Sequence, residues 1–354
     1  MNEHQHIDRR TFLRRSAIVG LGATLGGLAI ARSLQDGEPV PWDERAFPPL
    51  GEARVAVLKQ SSYDEGLESA VLDGLGAIGA DVRGANVLLK PNLVEYDAGT
   101  VINTDPRLVR AAALAFRRLG AASVTVGEGP GHRRDTHYVV ARSGLLDAIR
   151  DAGTPFVDLN TDAVVERALR SRYTRLGRLW LPASVANADV VVSMPKMKTH
   201  HWAGVTLSLK NCFGCVPGRV YGWPKNALHW AGLEGSIVDV AAAVRPDLAI
   251  VDGIVGMEGN GPISGTPVGS GVLVFGDDPV ATDTITAGLM GLDPARIDYL
   301  QQAARFLGQG DRERIRTEGE DPASLATTFA LPPGFGWLTS GSGPKPAGTA
   351  QAPA

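Results

Sequence analysis

Only two cysteines, Cys212 and Cys215, occur in 354 residues. Two thiols cannot by themselves ligate an iron–sulfur cluster, which usually takes four, and they cannot build a disulfide framework. Lysine is also scarce, with seven among 35 basic residues. No HExxH, no GxSxG elbow and no GxGxxG between strand and helix is present, which disfavours zinc proteases, α/β-hydrolases and dinucleotide-binding enzymes. Long apolar stretches are missing too. The run Ala17 to Ala31 is fifteen residues with four glycines, short of the roughly 20 that span a bilayer. A net charge of −3 argues against a general nucleic-acid binder.

At the N-terminus, Asp8-Arg9-Arg10-Thr11-Phe12-Leu13 precedes that apolar run, which ends in Ala29-Ile30-Ala31. Paired arginines, a short apolar segment and a small-x-small cleavage site resemble a twin-arginine export signal. Residues 1–31 are therefore expected to engage the twin-arginine translocase and to be removed outside the cytoplasmic membrane, leaving no stable span. The alternative is a retained anchor. Removal of four arginines and two acids takes the net charge to −5.

Residues 32–50 are Pro-rich and aperiodic, reading as a linker, and 332–354 carry Pro, Gly, Ala and Ser with almost no charge, reading as a disordered tail. Between 51 and 310, apolar runs alternate with helical patterns, which predicts an α/β fold with a mostly parallel sheet and flanking helices; 311–331 form a C-terminal extension. Strands are expected at 54–59, 86–90, 123–127, 156–159, 189–194, 248–251 and 271–275. Helices are expected at 63–75, 106–119, 138–151, 233–244 and 279–290. Asp105-Pro106 and Asp278-Pro279 are helix starts, with a capping acid and proline at the first helical position. NVLLKPN with ASVTVGEGPG, and DVVVSMPKMK with LAIVDGIVGMEGNGP, read as two similar units. Either these are pseudo-repeated halves or they follow the ordinary grammar of α/β folds. The repeat would place Lys90 with Lys196, and Glu128 with Glu258, at the carboxyl edge of the sheet, where such sheets bind ligands.

The stretch SMPKMKTHHWAGVTLSLKNCFGC, Ser193 to Cys215, gathers Lys196, Lys198, Lys210, His200, His201 and both cysteines. In a background that favours arginine, lysines signal compact ammonium groups with tunable pKa values. Lys196, Lys198, Lys210 and His200 are candidates for catalysis; Lys90, Asn92, Asn211, Gly259 and Gly261 for substrate binding. Asp252, Glu258 and Asp283 supply oxygen ligands that suit a divalent metal, and His200 would extend the set to a transition metal. Asp283, inside the first turn of a helix, would alternatively complement the helix dipole. Cys212 and Cys215 are a thiol pair, a disulfide in an oxidising compartment, or zinc ligands completed by two of His200, His201 and His229. Gly259 to Pro267 lacks phosphate-loop spacing and reads as a loop that folds over a ligand.

NVLLKPNLV, NTDP, VSMPKMKTHHWAGVTLSLKNCFGCVPG, VDGIVGMEGNGPISGTP and GDDPVATD, in that order, resemble the domain of unknown function family 362 over about Ala53 to Leu307. The resemblance implies that the family's characteristic residues fall on Lys90, Pro91, Asn92, Lys196, Lys198, His200, Lys210, Asn211, Asp252, Glu258, Gly259, Gly261 and Asp283. Many members resemble iron–sulfur proteins through an appended ferredoxin module, which this sequence lacks. Two functions are expected. One is an exported enzyme whose lysines bind a small anion while acids hold a metal or move protons; the other is a non-catalytic binding or redox-accessory protein serving a partner.

Overall fold

The computed structural model describes residues 40–131 and 135–346, so the expected export signal falls outside the described residues. Its centre is a sheet of continuous Val/Ile/Leu runs, the composition of strands buried on both faces. Five parallel strands form one contiguous block: β2 (Asn86–Pro91), β3 (Ser123–Glu128), β4 (Phe156–Asp158), β7 (Val190–Met194) and β10 (Leu248–Asn260). The sheet runs β12-β1-β11-β10-β7-β2-β3-β4, with β1 at Ala53–Lys59, β11 at Ser264–Gly276 and β12 at Ile315–Gly319. Along this order β11 alone opposes its neighbours, because it returns from β10 as a hairpin with Asn260 opposite Ser264. An antiparallel pair, β5 (Val164–Ala168) and β6 (Arg178–Pro182), stands apart.

Helices cover both faces. On one side α1 (Leu67–Ala77), α2 (Pro106–Arg118), α3 (Thr136–Arg142) and α4 (Leu145–Asp151) pack on Val87, Leu89, Val192, Ile250 and Phe275. On the other, α6 (Leu233–Val244), α7 (Pro279–Leu289) and α8 (Asp298–Ala303) pack on Leu88, Val191, Val251 and Val274. Directly after β9 (Gly204–Thr206) comes a single turn of helix, α5 (Ser208–Asn211). Strand order advances from β2 through β3 to β4 in one direction and from β7 through β10 to β11 in the other. β2 and β7 are neighbours, with Lys90 opposite Ser193. Their carboxyl ends are thus the point where strand order reverses, the place where open α/β sheets form a ligand crevice.

The expected α/β class with a largely parallel sheet is what the chain forms. Differences arise where tertiary pairing overrides local pattern. The expected 63–75 helix begins at Leu67 after left-handed Gly66, which frees Tyr63 for the interior. The 138–151 helix is two, broken at left-handed Gly144. β10 and β11 each run 13 residues, well past the apolar cores that marked them; the outer half of β10 pairs with β8 (Lys196–His200), Asp252 opposite Lys196. The assumed extension supplies β12, parallel to β1 at the sheet edge. Neither end behaves as linker or disordered tail within the described residues. Trp42 stacks on Phe306 at 4.9 Å, and Phe335, Trp337 and Leu338 are buried. These few large apolar side chains bury enough surface to order segments that are otherwise polar and Pro-rich.

Candidate functional site: a lysine-lined cavity

A cavity of about 500 Å³ opens at the switch point, lined by residues from the ends of β2 and β3, from β8, α5, the turn after it, and the tip of the β10–β11 hairpin. Its wall holds Lys90, Lys198, Lys210, Lys225, His200, His201 and His229 against one acid, Glu128. That imbalance defines its chemistry: an empty cavity with buried like charges is costly, and an anion relieves the cost.

Lys90 and Glu128, each 1% exposed, form an ion pair between the ends of β2 and β3. Lys90 Nζ also donates to Pro91 O at 2.8 Å and Asn211 Oδ1 at 3.0 Å. Asn211 returns a bond to Lys90 O at 3.0 Å and reaches Ser193 Oγ at 3.1 Å, tying α5 to both central strands. Gly214 lies over this pair, where a Cβ would collide with Glu128 and Lys90. Lys198 is fully buried and donates to Ile102 O at 2.8 Å and Pro262 O at 3.3 Å; burial first, then Lys196, pushes its pKa well below the usual value. Lys225, in a left-handed backbone conformation, donates to Gly129 O and Phe213 O, both at 2.8 Å. Burial lowers its pKa to about 8.

Lys210 is different. Half-buried on the cavity wall, its Nζ sits 4.0 Å from the Phe213 ring centroid. Burial, then the charges of Lys225 and Lys90, bring its pKa down to about 7. The carrier helix is fixed from below: Asp283 on α7 accepts the backbone N–H of Ser208 at 2.7 Å and of Leu209 at 3.0 Å. Burial raises the Asp283 pKa to about 7.

His200 Nδ1 accepts the N–H groups of Trp202 and Ala203 at 3.0 and 3.2 Å, which leaves a neutral ring with its proton on Nε2. Burial, then Lys210, holds its pKa well below the ordinary value. His229 is lowered by the same two causes. Asn92 Oδ1 and Thr206 Oγ1 of the lining are buried without a hydrogen-bond partner among the described residues. Such atoms are costly unless a ligand or water satisfies them.

The expected sites divide accordingly. Lys90, Asn92, Lys198, His200, Lys210 and Asn211 meet at the cavity. Lys196 does not line it. Its Nζ is 2.6 Å from Asp252 Oδ2 and also bonds Tyr63 Oη at 3.1 Å and Val255 O at 3.0 Å. Asp252 is saturated by that lysine, by Tyr63 Oη at 2.6 Å and by Asp105 N at 2.8 Å. The expected metal set of Asp252, Glu258 and Asp283 is not assembled: Glu258 accepts Ala330 N at 2.8 Å, while Asp283 caps α5. Among the described residues no group of three or more His, Cys, Asp or Glu side chains is close enough to hold a metal. The repeat's acid partner for Lys196 is therefore Asp252, not Glu258.

Gly259 and Gly261 shape the hairpin tip and do not line the cavity. Gly259 has φ +75°, and a Cβ on Gly261 would strike the Thr199 backbone. Gly261 O accepts His201 N at 2.9 Å and Nδ1 at 2.6 Å, placing Pro262 and Ile263 over the cavity. Cys212 and Cys215 are free, buried thiols in a 3-10 turn. Burial raises both pKa values, that of Cys215 to about 12, so neither is a ready thiolate. Sequence reasoning missed Lys225; the signal available was one more lysine, fifteen residues after Lys210, in a chain that otherwise uses arginine.

Fold and site define a doubly wound α/β protein with a cationic cavity at its switch point. The chain belongs to the family described as Domain of unknown function (DUF362), whose model matches residues 87–288. The "Thylakoid-associated protein sll1697" of Synechocystis sp. (strain ATCC 27184 / PCC 6803 / Kazusa) is 32% identical over 288 residues, 78% of this chain and 83% of that protein. The lactate racemase apoprotein from Thermoanaerobacterium thermosaccharolyticum superposes with a TM-score of 0.46 at 13% identity, over 68% of this chain and 57% of that one. No described helix is long and apolar enough to cross a membrane.

Proposed function

We propose that this chain is an exported enzyme that binds a small carboxylate- or phosphate-bearing molecule in the lysine cavity and moves a proton with Lys210. The supporting observation is the wall itself: four lysines and three histidines face one acid, and that acid is already paired. Lys225, with a pKa of about 8, offers charge, Lys198 a buried N–H donor and neutral His200 an Nε2–H donor, and a Lys210 pKa of about 7 suits general acid–base work near neutrality. Export is inferred from Arg9, Arg10 and the apolar run after them.

Thermal melts with citrate or phosphate, each against chloride at equal ionic strength, test the binding. Both anions should raise the melting temperature by about 2–4 °C or more. No shift beyond that of chloride would remove the anion site. A second reading, a binding protein that serves a partner, is favoured by Trp223 and Trp230, 42% and 69% exposed beside the cavity residues Pro224 and His229. Partner capture that survives Lys210→Met and is lost in Trp230→Ala would favour it.

A further inference from the structure

Among the five lysines at the carboxyl edge, four have their ammonium groups engaged. Lys90 is held by Glu128, Pro91 O and Asn211; Lys196 by Asp252, Tyr63 and Val255 O. Lys198 is held by two carbonyl oxygens, and so is Lys225. Among the described residues, Lys210 Nζ has no hydrogen bond and no ion pair, only the face of Phe213. A donor with nothing to donate to can lose its proton at little cost and keep its lone pair available.

We propose that Lys210 is a Schiff-base nucleophile that condenses with the carbonyl group of a small oxo acid, whose carboxylate is held by Lys198, Lys225 and His200. The proposal rests on the anionic substrate reading above and names its class. Three independent features of the site meet the needs of that chemistry. The amine is mounted on a short helix fixed by Asp283 at one end and by Asn211 at the other, so the nucleophile is positioned rather than free. The cavity has room for a molecule of a few carbons beside it. Burial and then the neighbouring cations bring the amine's pKa to about 7, so a large share of it is free base near neutrality, the arrangement that activates a lysine toward carbonyl carbon. In the reaction the nitrogen lone pair attacks the carbonyl carbon and a C–N bond forms. The two amine hydrogens leave with the carbonyl oxygen as one water, giving C=N with no net oxidation. Protonated on nitrogen, the imine takes up the electron pair of a bond at the adjacent carbon as an enamine, the hydrogen leaving as a proton to water or a carboxylate there leaving as carbon dioxide, with no net oxidation. Asn92 Oδ1 and Thr206 Oγ1, unpartnered in the lining, are placed to bond further polar groups of such a molecule.

Borohydride trapping tests this. The full chain at pH 8 is treated with pyruvate, oxaloacetate or 2-oxoglutarate, reduced with sodium borohydride, and mapped by peptide mass. At least one probe should leave a single reduced adduct on Lys210, about tenfold or more above that on exposed Lys59. Lys210→Arg, which keeps the charge but cannot form an imine, should abolish it while retaining the citrate-induced rise in melting temperature. No Lys210 adduct with any of the three probes, or labelling spread equally over Lys59 and Lys345, overturns the proposal. If citrate still raises the melting temperature in that case, the anion site stands and only the covalent step falls. If citrate also fails, both fall.

Discussion

At the scale of single residues, Lys196 and Lys210 are the same amino acid fourteen residues apart and do opposite things for stability. Lys196 is buried in a saturated pair with Asp252 and Tyr63. Removing one partner leaves the other charge buried alone, so Asp252→Asn should cost about 3–5 kcal/mol in urea unfolding; a loss under about 1 kcal/mol would mean water reaches that pair. Among the described residues Lys210 has no counter-charge. Its pKa falls from 10.5 to about 7 in the folded chain, so between those values the unfolded chain binds more protons than the folded one. Stability from this group is complete above about pH 10.5, declines as pH falls toward 7, and is flat below. Lys210→Met should therefore raise the melting temperature at pH 7 by about 2 °C or more, a gain that shrinks as pH rises and vanishes only above about pH 10.5. A destabilised variant, or a gain independent of pH, would show that the amine is already partnered. Sequence alone marked both lysines as unusual, since the rest of the chain uses arginine. It could not separate them, because the difference lies in which strand each faces, and Asp252 is 56 residues downstream of Lys196.

At the scale of elements, the site depends on short pieces held by distant ones. α5 has four residues, too few to persist without support. Its support is Asp283, one turn into α7, whose carboxylate takes the two N–H groups that open the short helix. Asp283→Ala would leave both N–H groups buried without acceptors. The expected cost is about 1–3 kcal/mol in thermal or urea unfolding, together with loss of most of the citrate shift because Lys210 and Asn211 move. Retention of the full citrate shift would show that α5 is held by other contacts. As an oxygen donor Asp283 suits a metal, and within a helix's first turn it suits the helix dipole; its partner is a turn 75 residues earlier, and no local pattern records that. The Asp105-Pro106 and Asp278-Pro279 starts were legible for the opposite reason. Capping is local: each acid bonds N–H groups two or three residues on. The long hairpin was only half legible. Its inner halves are apolar, but Asp252 to Asn260 is Gly-rich and becomes strand only because β8 and β11 pair with it.

For the whole molecule, alternation of apolar runs with helices made the parallel sheet readable, and the two lysine-bearing strand ends pointed at its carboxyl edge. The reversal of strand order between β2 and β7 was not readable, since right-handed crossovers in either direction look alike along the chain. That reversal brings Lys90, Lys198, Lys210 and Lys225 to one crevice from segments 135 residues apart, from Lys90 to Lys225. A protein whose site depends on so many distant segments is assembled only when the fold is complete, which bears on how it would leave the cell. The twin-arginine route carries folded cargo, and Arg9-Arg10 with Phe12-Leu13 before a short apolar run is the signal proposed here. Lysine keeps the charge but not the planar fork of arginine, so replacing both Arg9 and Arg10 with lysine should leave precursor in the cytoplasm with an intact, citrate-responsive cavity. Wild type should appear outside as a shorter chain starting after Ala31. Fractionation with N-terminal sequencing checks both outcomes. Mature chain outside at normal levels in the lysine variant would overturn twin-arginine export while leaving the cavity chemistry untouched. If precursor in the cytoplasm melted like an unfolded chain, export would precede folding, and the case for a folded-cargo route would fail with it.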